Sequence, residues 1–312
     1  PLSVSEKISI VVVPRDRVST TSRCLETLLA NTSPEHEFFL VFGAMPARFQ
    51  KQLSERFGSR VKMIFSPQML NPAEARNVGL RAISTRLAVL MDNDVYVRTG
   101  WLEALMKCEK ETSAAMVVPI VLEDQETIHT AGNVFYVTYK KGKAYASKEL
   151  ALSKHTYWEG SNLKRQKTDY GELHCQLVDV QTALKLNVYD EEFREVGECD
   201  SGFIWAKAGC GQWFEPAAVV DYPLPRRVEY AEDIPFFLFK WDMREILRNY
   251  LYFEKKWNID IAEQGSFKFF LKDFNNKLGL LPRLFRFQWV LKIDHGLQGF
   301  RRAAENSFKV WG

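Results

Sequence analysis

Five short apolar runs in the first part of the chain constrain its fold more than any other feature. They are ISIVVV at 8–13, FFLVF at 38–42, VKMIF at 61–65, LAVLM at 87–91 and MVVPIV at 116–121. Each is short and rich in β-branched or aromatic residues, as strands buried on both faces are. Segments of helical period separate them. Ser19 or Thr20 is placed to cap a helix with Cys24, Leu25, Leu28 and Leu29 on one face. Pro46 opens a second helix striped by Phe49, Leu53 and Phe57 and stopped by Gly58. A third is expected over 72–83 and a fourth over 101–108. Strand–helix alternation of this kind means parallel strands joined by right-handed crossovers, a doubly wound α/β sheet.

Nucleotides bind to such sheets, but the fold alone does not name a function. No GxGxxG follows the first strand and no GxxxxGK[ST] occurs, so the dehydrogenase and P-loop readings lose their main support. The chain has 312 residues, 46% hydrophobic and 26% charged, the make-up of a soluble globular protein. Five cysteines (Cys24, Cys108, Cys175, Cys199, Cys210) show no pairing rhythm, which suits reduced thiols. No leader is read at the start, and no apolar run approaches the ~18 residues of a membrane span. A cytoplasmic location is the expectation. The net charge of +3 is too small to argue for nucleic acid.

The run at 87–91 ends in Asp92-Asn93-Asp94. In an extended segment, residues i and i+2 point the same way, so Asp92 and Asp94 would stand side by side at the carboxyl end of a buried strand. That edge is where open α/β sheets bind ligands. Two close carboxylates need a positive partner. A divalent cation carrying a diphosphate meets that need, and hard oxygen ligands suit Mg²⁺ or Mn²⁺. The plain alternative is a polar turn.

The order of these features resembles glycosyltransferase family 2, with its GT-A fold. ISIVVVPRDR resembles the family's opening strand and proline turn, NPAEARNVGL at 71–80 its Ala-Arg-Asn-x-Gly helix, and LAVLMDNDVYV its DxD strand. The resemblance implies a Rossmann-like, mostly parallel sheet with helices on both faces, over residues 1–229, followed by a helical C-terminal extension over 230–312. It implies a nucleotide-diphosphate sugar donor held by Pro14, Arg15, Asp16, Arg76, Asn77, Asp92 and Asn93, with Asp92 and Asp94 on Mn²⁺ or Mg²⁺. The acceptor would be a glycan, a lipid-linked sugar, a protein or a small molecule. Two features depart from the family. Phe42-Gly43-Ala44-Met45 stands where an acidic pair helps hold the base and ribose, and Arg15-Asp16 replaces the usual aromatic of the first turn.

In the second half, 127–137 reads as a turn and strand and 140–170 as a long loop over the donor. A short strand is expected over 173–178. His129 and His174 are read as structural histidines. In DEEFREVGECDSGFIWAKAGCG at 190–211, the resemblance aligns Glu198 with the family's catalytic acid and Asp200 with the later Asp, ahead of a helix over 201–208. Acids in a first helical turn also suit the helix dipole, which is their structural reading. A closing strand is expected over 214–220 and an aromatic-rich helix over 230–260. The segment 265–312 carries nine Lys or Arg against three acids, a charge of +6. It suits an anionic membrane surface, a partner protein or closure over the acceptor cleft. The expected activity is a metal-dependent inverting glycosyltransferase. The rival readings are a sugar-phosphate nucleotidyltransferase, an inactive nucleotide-sugar-binding scaffold and a membrane-surface interaction module.

Overall fold

The computed structural model describes residues 6–140, 142–157, 162–223, 228 and 230–261. The basic segment 265–312, with its membrane, partner and acceptor readings, lies outside them. In chain order the elements are β1 (Ser9–Val13), α1 (Thr21–Ala30), β2 (Glu37–Gly43), α2 (Ala47–Phe57), β3 (Val61–Ser66), α3 (Pro72–Ala82), β4 (Leu87–Asp92), β5 (Tyr96–Val97), α4 (Trp101–Thr112), β6 (Met116–Glu123), β7 (Thr127–Thr130), β8 (Asn133–Lys140) and β9 (Lys143–Leu150). There follow β10 (Gln166–Lys167), β11 (Cys175–Asp179), α5 (Val180–Leu186), α6 (Gly197–Lys207), β12 (Gln212–Asp221), a 3-10 turn (Ala231–Asp233), α7 (Ile234–Lys240), α8 (Met243–Trp257) and β13 (Ile259–Asp260).

The main sheet runs β10-β12-β6-β11-β4-β1-β2-β3. β1 to β4 are mutually parallel, β6 and β12 pair in parallel, and β11 is inserted antiparallel between β4 and β6. The expected mostly parallel α/β sheet with helices on both faces is therefore present, with β11 as its antiparallel insertion. Its central strands β1, β2, β4 and β6 are mainly apolar because both faces are covered. Ile10, Val12, Val89 and Met91 pack on the side of α1, α2 and α4. Val11, Val13, Ala88 and Leu90 pack on the side of α3, α5 and α6. Asp92 follows the period of the second set, so its side chain leaves the strand toward α3.

Strand order reverses between β1 and β4, since β2 and β3 lie to one side of β1 and β4 to the other. The crevice at the carboxyl ends of these two strands is the switch point at which doubly wound sheets bind ligands. Residues 6–223 and 230–261 belong to one compact unit.

Four expectations need correction. The expected loop over 140–170 contains β9, which pairs antiparallel with β8 as a hairpin. Most of β8 is exposed, so neither face carries the apolar alternation that marks a strand. The helix expected over 201–208 begins at Gly197, which puts Glu198 and Asp200 inside its first turn. The aromatic helix over 230–260 is broken into the 3-10 turn, α7 and α8. Asp242 causes the second break, since its side chain caps α8 by accepting from the Arg244 N–H. Finally, Thr20 is the N-cap of α1 but makes no side-chain cap bond. Asp233 instead holds the loop just ahead of the helix, accepting from the N–H groups of Val18 (2.8 Å) and Ser19 (3.0 Å).

Gly79 shows why the Ala-Arg-Asn-x-Gly helix ends its motif in glycine. A Cβ there would lie 2.3 Å from Val11 Cγ1. Val11 is β-branched and fully buried in the sheet, so it cannot yield. Alanine gains about 1 kcal/mol of helix propensity, whereas overpacking a core costs roughly 1–3 kcal/mol. Gly79→Ala is expected to lower stability, by up to about 2 kcal/mol, in denaturant unfolding, where propensity alone would raise it.

Candidate active site

The site is built up from α3. Asn71 caps this helix, accepting from the N–H groups of Ala73 and Glu74, while Glu74 accepts from the Asn71 N–H. This reciprocal box, with Pro72 in the first turn, fixes where the helix starts. Arg76, one turn in, is fully buried against the sheet. Its Nη2 donates to Asp92 Oδ1 (2.5 Å) and to the Leu173 carbonyl (2.6 Å), and its Nη1 to the Pro72 carbonyl (3.0 Å). Burial alone would raise the pKa of Asp92. Arg76 foremost, with His174 and Arg15, outweighs burial and holds the carboxyl well below its usual range.

β4 stops at Asp92, and 93–94 form a turn closed by Val95 N–H on the Asp92 carbonyl (3.3 Å). The pair Asp92/Asp94 thus sits on a turn and not on one extended strand, yet Arg15 joins both. Its Nη1 lies 3.2 Å from Asp94 Oδ2 and its Nε 3.7 Å from Asp92 Oδ2. The same Nη1 donates to the Tyr222 hydroxyl, and the guanidinium lies 4.6 Å from the Tyr222 ring centre. Asn93, between the two acids, pins the β1–α1 loop. Its Oδ1 accepts from the Arg15 N–H (3.0 Å), and its Nδ2 donates to the Arg17 carbonyl (2.6 Å) and Thr21 Oγ1 (2.8 Å).

His174 joins this cluster from the segment before β11. Its Nδ1 lies 3.3 Å from Asp92 Oδ2, and its ring stacks on Tyr222 at 4.2 Å. Burial pushes its pKa down to about 3, so it is a neutral imidazole. Burial, aided by the charges of Asp92 and Asp16, pushes Asp94 up to about 6 against the pull of Arg15. His129 meets both rings edge-on and is oriented by Glu123, 2.7 Å from its Nδ1.

A divalent cation fits these donors. Asp92, Asp94 and His174 each offer one ligand atom, and these atoms lie within 4.8 Å of one another. Asp94 Oδ1 is buried without a hydrogen-bond partner, an orphan that a cation would satisfy. The neighbouring His129, Glu172 and His174 form a second such group.

The other residues expected at the site are placed as follows. Pro14 is buried at the end of β1. Asp16 is buried and accepts from Trp241 Nε1 (2.9 Å), beyond α7. Asn77 is buried and donates to the Tyr189 carbonyl (2.8 Å) and Glu191 Oε1 (2.9 Å), bracing the approach to α6. Asp200 is fully buried and bonded to α8, to Lys256 Nζ (2.9 Å) and Trp257 Nε1 (2.8 Å). Glu198 is nearly buried. Its neighbour Gly197 packs on Leu173, where a Cβ would lie 3.6 Å from Cδ1, and the carbonyl of Leu173 is held by Arg76. Tyr222, Asp233 and Trp241 were not foreseen, since no local pattern marks them. His174 was foreseen as packing, and its buried ring does pack, but against the acids.

The sequence profile of Glycosyl transferase family 2 matches residues 9–175, more than half of the chain and the whole of β1 through α4. The chain belongs to glycosyl transferase family 2. A segment of 62 residues is 36% identical to the pre-mycofactocin glycosyltransferase of Mycobacterium tuberculosis, in strains CDC 1551 / Oshkosh and ATCC 25618 / H37Rv. That match spans 20% of this chain and only 13% of the relative's length. Among solved structures, a crystal structure of GalNAc-T7 with UDP, GalNAc and Mn²⁺ superposes with a TM-score of 0.54 at 13% identity, over 92% of this chain and 57% of the other. At that identity the likeness establishes the shared GT-A fold of this family member. Among the described residues no helix is long and apolar enough to cross a membrane.

Arg76 gives a direct test of the site's foundation. Arg76→Ala removes the chief counter-charge of Asp92 and leaves only Arg15 at 3.7 Å; breaking such a buried pair costs about 3–5 kcal/mol. Urea unfolding is expected to show that loss. A midpoint within error of the parent would mean that Arg76 does not carry Asp92.

Proposed function

We propose that this chain is a metal-dependent inverting glycosyltransferase that takes its sugar from a nucleotide-diphosphate donor. The observation that carries the reading is the buried, unpartnered Asp94 Oδ1 beside Asp92 and His174, at the switch point of a family 2 fold. The GalNAc-T7 structure, whose crystals hold UDP and Mn²⁺, supports the donor and metal classes by analogy of fold. Asp94, Asp92 and His174 would hold the Mn²⁺ or Mg²⁺. When bound, the metal supplies the charge that neutralises a diphosphate leaving group.

The chain's own residues would do the rest. Arg76 holds Asp92 in place from behind, and Asn93 holds the β1–α1 loop against the crevice. Arg15 stands at the crevice with a planar fork suited to phosphate oxygens. Glu198 would accept the acceptor hydroxyl proton as that oxygen bonds to the anomeric carbon and the carbon–oxygen bond to the diphosphate breaks. A single displacement inverts the anomeric centre. The acceptor is a hydroxyl of a glycan, a lipid-linked sugar, a protein or a small molecule. In this reading 1–229 is the catalytic domain and 230–312 its extension, whose described part steadies the donor loop through Asp233 and Trp241.

One observation favours the scaffold reading. Phe42 ends fully buried against Phe236 of α7, ring centres 5.4 Å apart, so that corner of the crevice holds no carboxylate for a ribose. Turnover separates the two readings. Calorimetry is expected to show UDP binding that needs Mn²⁺ or Mg²⁺, is lost in EDTA and is lost in a folded Asp94→Ala variant. Full UDP affinity in excess EDTA would remove the metal from the reading.

Glu198→Gln keeps size and removes basicity. It is expected to bind UDP normally and to lose roughly 10²–10⁴-fold in turnover, the usual worth of a general base. Asp200→Asn is expected to act chiefly on the melting temperature, through its bonds to α8. The reverse pattern would exchange the two roles, and turnover unchanged in both would leave the scaffold.

A further inference from the structure

The geometry points to Arg15 as a resident counter-cation of Asp92 and Asp94, which the divalent metal must displace and which then passes to the donor diphosphate. This rests on the reading of the site as a metal and diphosphate site.

The argument begins with the carboxylate oxygens. Asp92 Oδ1 is taken by Arg76. Asp92 Oδ2 and Asp94 Oδ2 both face Arg15, at 3.7 and 3.2 Å. A cation held by the unpartnered Asp94 Oδ1 can reach Asp92 only at Oδ2, the oxygen that the guanidinium faces. Arg15 is well seated there, its side chain 13% exposed, over the Tyr222 ring and bonded to the Tyr222 hydroxyl.

Charge gives the second step. Asp92 and Asp94 against Arg76 and Arg15 sum to zero, and Asp16 pairs separately with Arg17 at 3.4 Å. Adding a divalent ion alone would leave an excess of two positive charges in a low-dielectric crevice, which is costly. A diphosphate arriving with the metal restores the balance. Metal and nucleotide are therefore expected to bind weakly apart and tightly together, each raising the other's affinity by the same factor.

The backbone gives the third. Asn93 holds the Arg15 N–H, and Asp233 and Trp241 hold the residues that follow. The loop is fixed, so exchange is a rotation of one long side chain. A guanidinium turned off the acids stays tethered at the crevice, where its fork matches phosphate oxygens.

The experiment is a titration of the full chain with Mn²⁺, with and without UDP, followed by the free Mn²⁺ resonance signal. Four proteins are compared: the parent, Arg15→Gln, Arg15→Lys and Tyr222→Phe. In the parent, UDP is expected to raise Mn²⁺ affinity strongly. Arg15→Gln is expected to bind Mn²⁺ alone at least about tenfold more tightly, with the UDP enhancement reduced by a similar factor. Arg15→Lys keeps the charge and is expected to stay within about threefold of the parent. Tyr222→Phe leaves every charge in place but unseats Arg15, and is expected to raise Mn²⁺ affinity about two- to threefold. It keeps the test open should Arg15→Gln fold poorly. If Arg15→Gln and Tyr222→Phe bind Mn²⁺ no more tightly than the parent while Mn²⁺–UDP binding persists, the exchange is wrong and the site reading stands. If no protein binds Mn²⁺ with or without UDP, both fall.

Discussion

The buried pair of Arg76 and Asp92 is the interaction on which the remaining geometry hangs. Both side chains are withdrawn from water, at 1% and 5% exposure, and neither charge is tolerable there without the other. Such pairs add little net stability over an apolar substitute, because desolvation consumes most of the attraction. What this one does is fix position. Its guanidinium ties α3 to the end of β4 and to the Leu173 carbonyl, and the Asp92 N–H returns a bond to the His174 carbonyl at 3.0 Å. One charge pair thereby sets the lateral place of Asp92 and the place at which His174 enters. Gly79 belongs to the same requirement, because α3 can bring Arg76 down to the sheet only by lying directly on Val11.

A second set of bonds steadies the opposite wall. The loop after β1 has no regular structure of its own, yet its polar groups are taken up from three directions. Asn93 holds it from β4, Asp233 holds its end at the start of α1, and Trp241 holds Asp16. Two of these three come from beyond residue 230. The described part of the C-terminal extension is thus a structural member of the site, and the Phe42–Phe236 contact seals the same seam with apolar surface. It also accounts for the acid absent from the end of β2. A carboxylate at Phe42 would face a phenyl ring and pay the cost of a buried unpaired charge.

What could be read from the sequence follows from which interactions are local. The apolar strands, the alternation with helices and the Asp92-Asn93-Asp94 turn are legible because burial on both faces writes an unbroken apolar run, and its end in charge marks the sheet edge. The extension of β8 and its pairing with β9 are not, because β8 is exposed over most of its length and carries no period. The partners of Asp16, Asn77 and Arg15 lie 225, 112 and 207 residues away, at Trp241, Tyr189 and Tyr222. No local pattern encodes contacts of that span. The residue types were informative about chemistry, whereas only the fold divides them into those that face the crevice and those that hold it up.

The pairs Asp92/Asp94 and Glu198/Asp200 make this division concrete, since both have one residue between the acids. On the turn after β4, Asp92 and Asp94 converge on a single guanidinium, and the residue between them is directed into the loop. In the first turn of α6, Glu198 and Asp200 are separated by about 200° of helical rotation, because each residue advances about 100°. They must face opposite sides. Asp200 is the one turned to α8, where Lys256 and Trp257 consume it and Lys256 also bonds Asp190 at 2.7 Å. Glu198 is left to the other side, next to Gly197 and its contact with Leu173, whose carbonyl rests on Arg76. Identical spacing therefore brings two carboxylates onto one guanidinium in one place and sets them on opposite sides of a helix in the other, and the difference is the backbone geometry beneath the side chains.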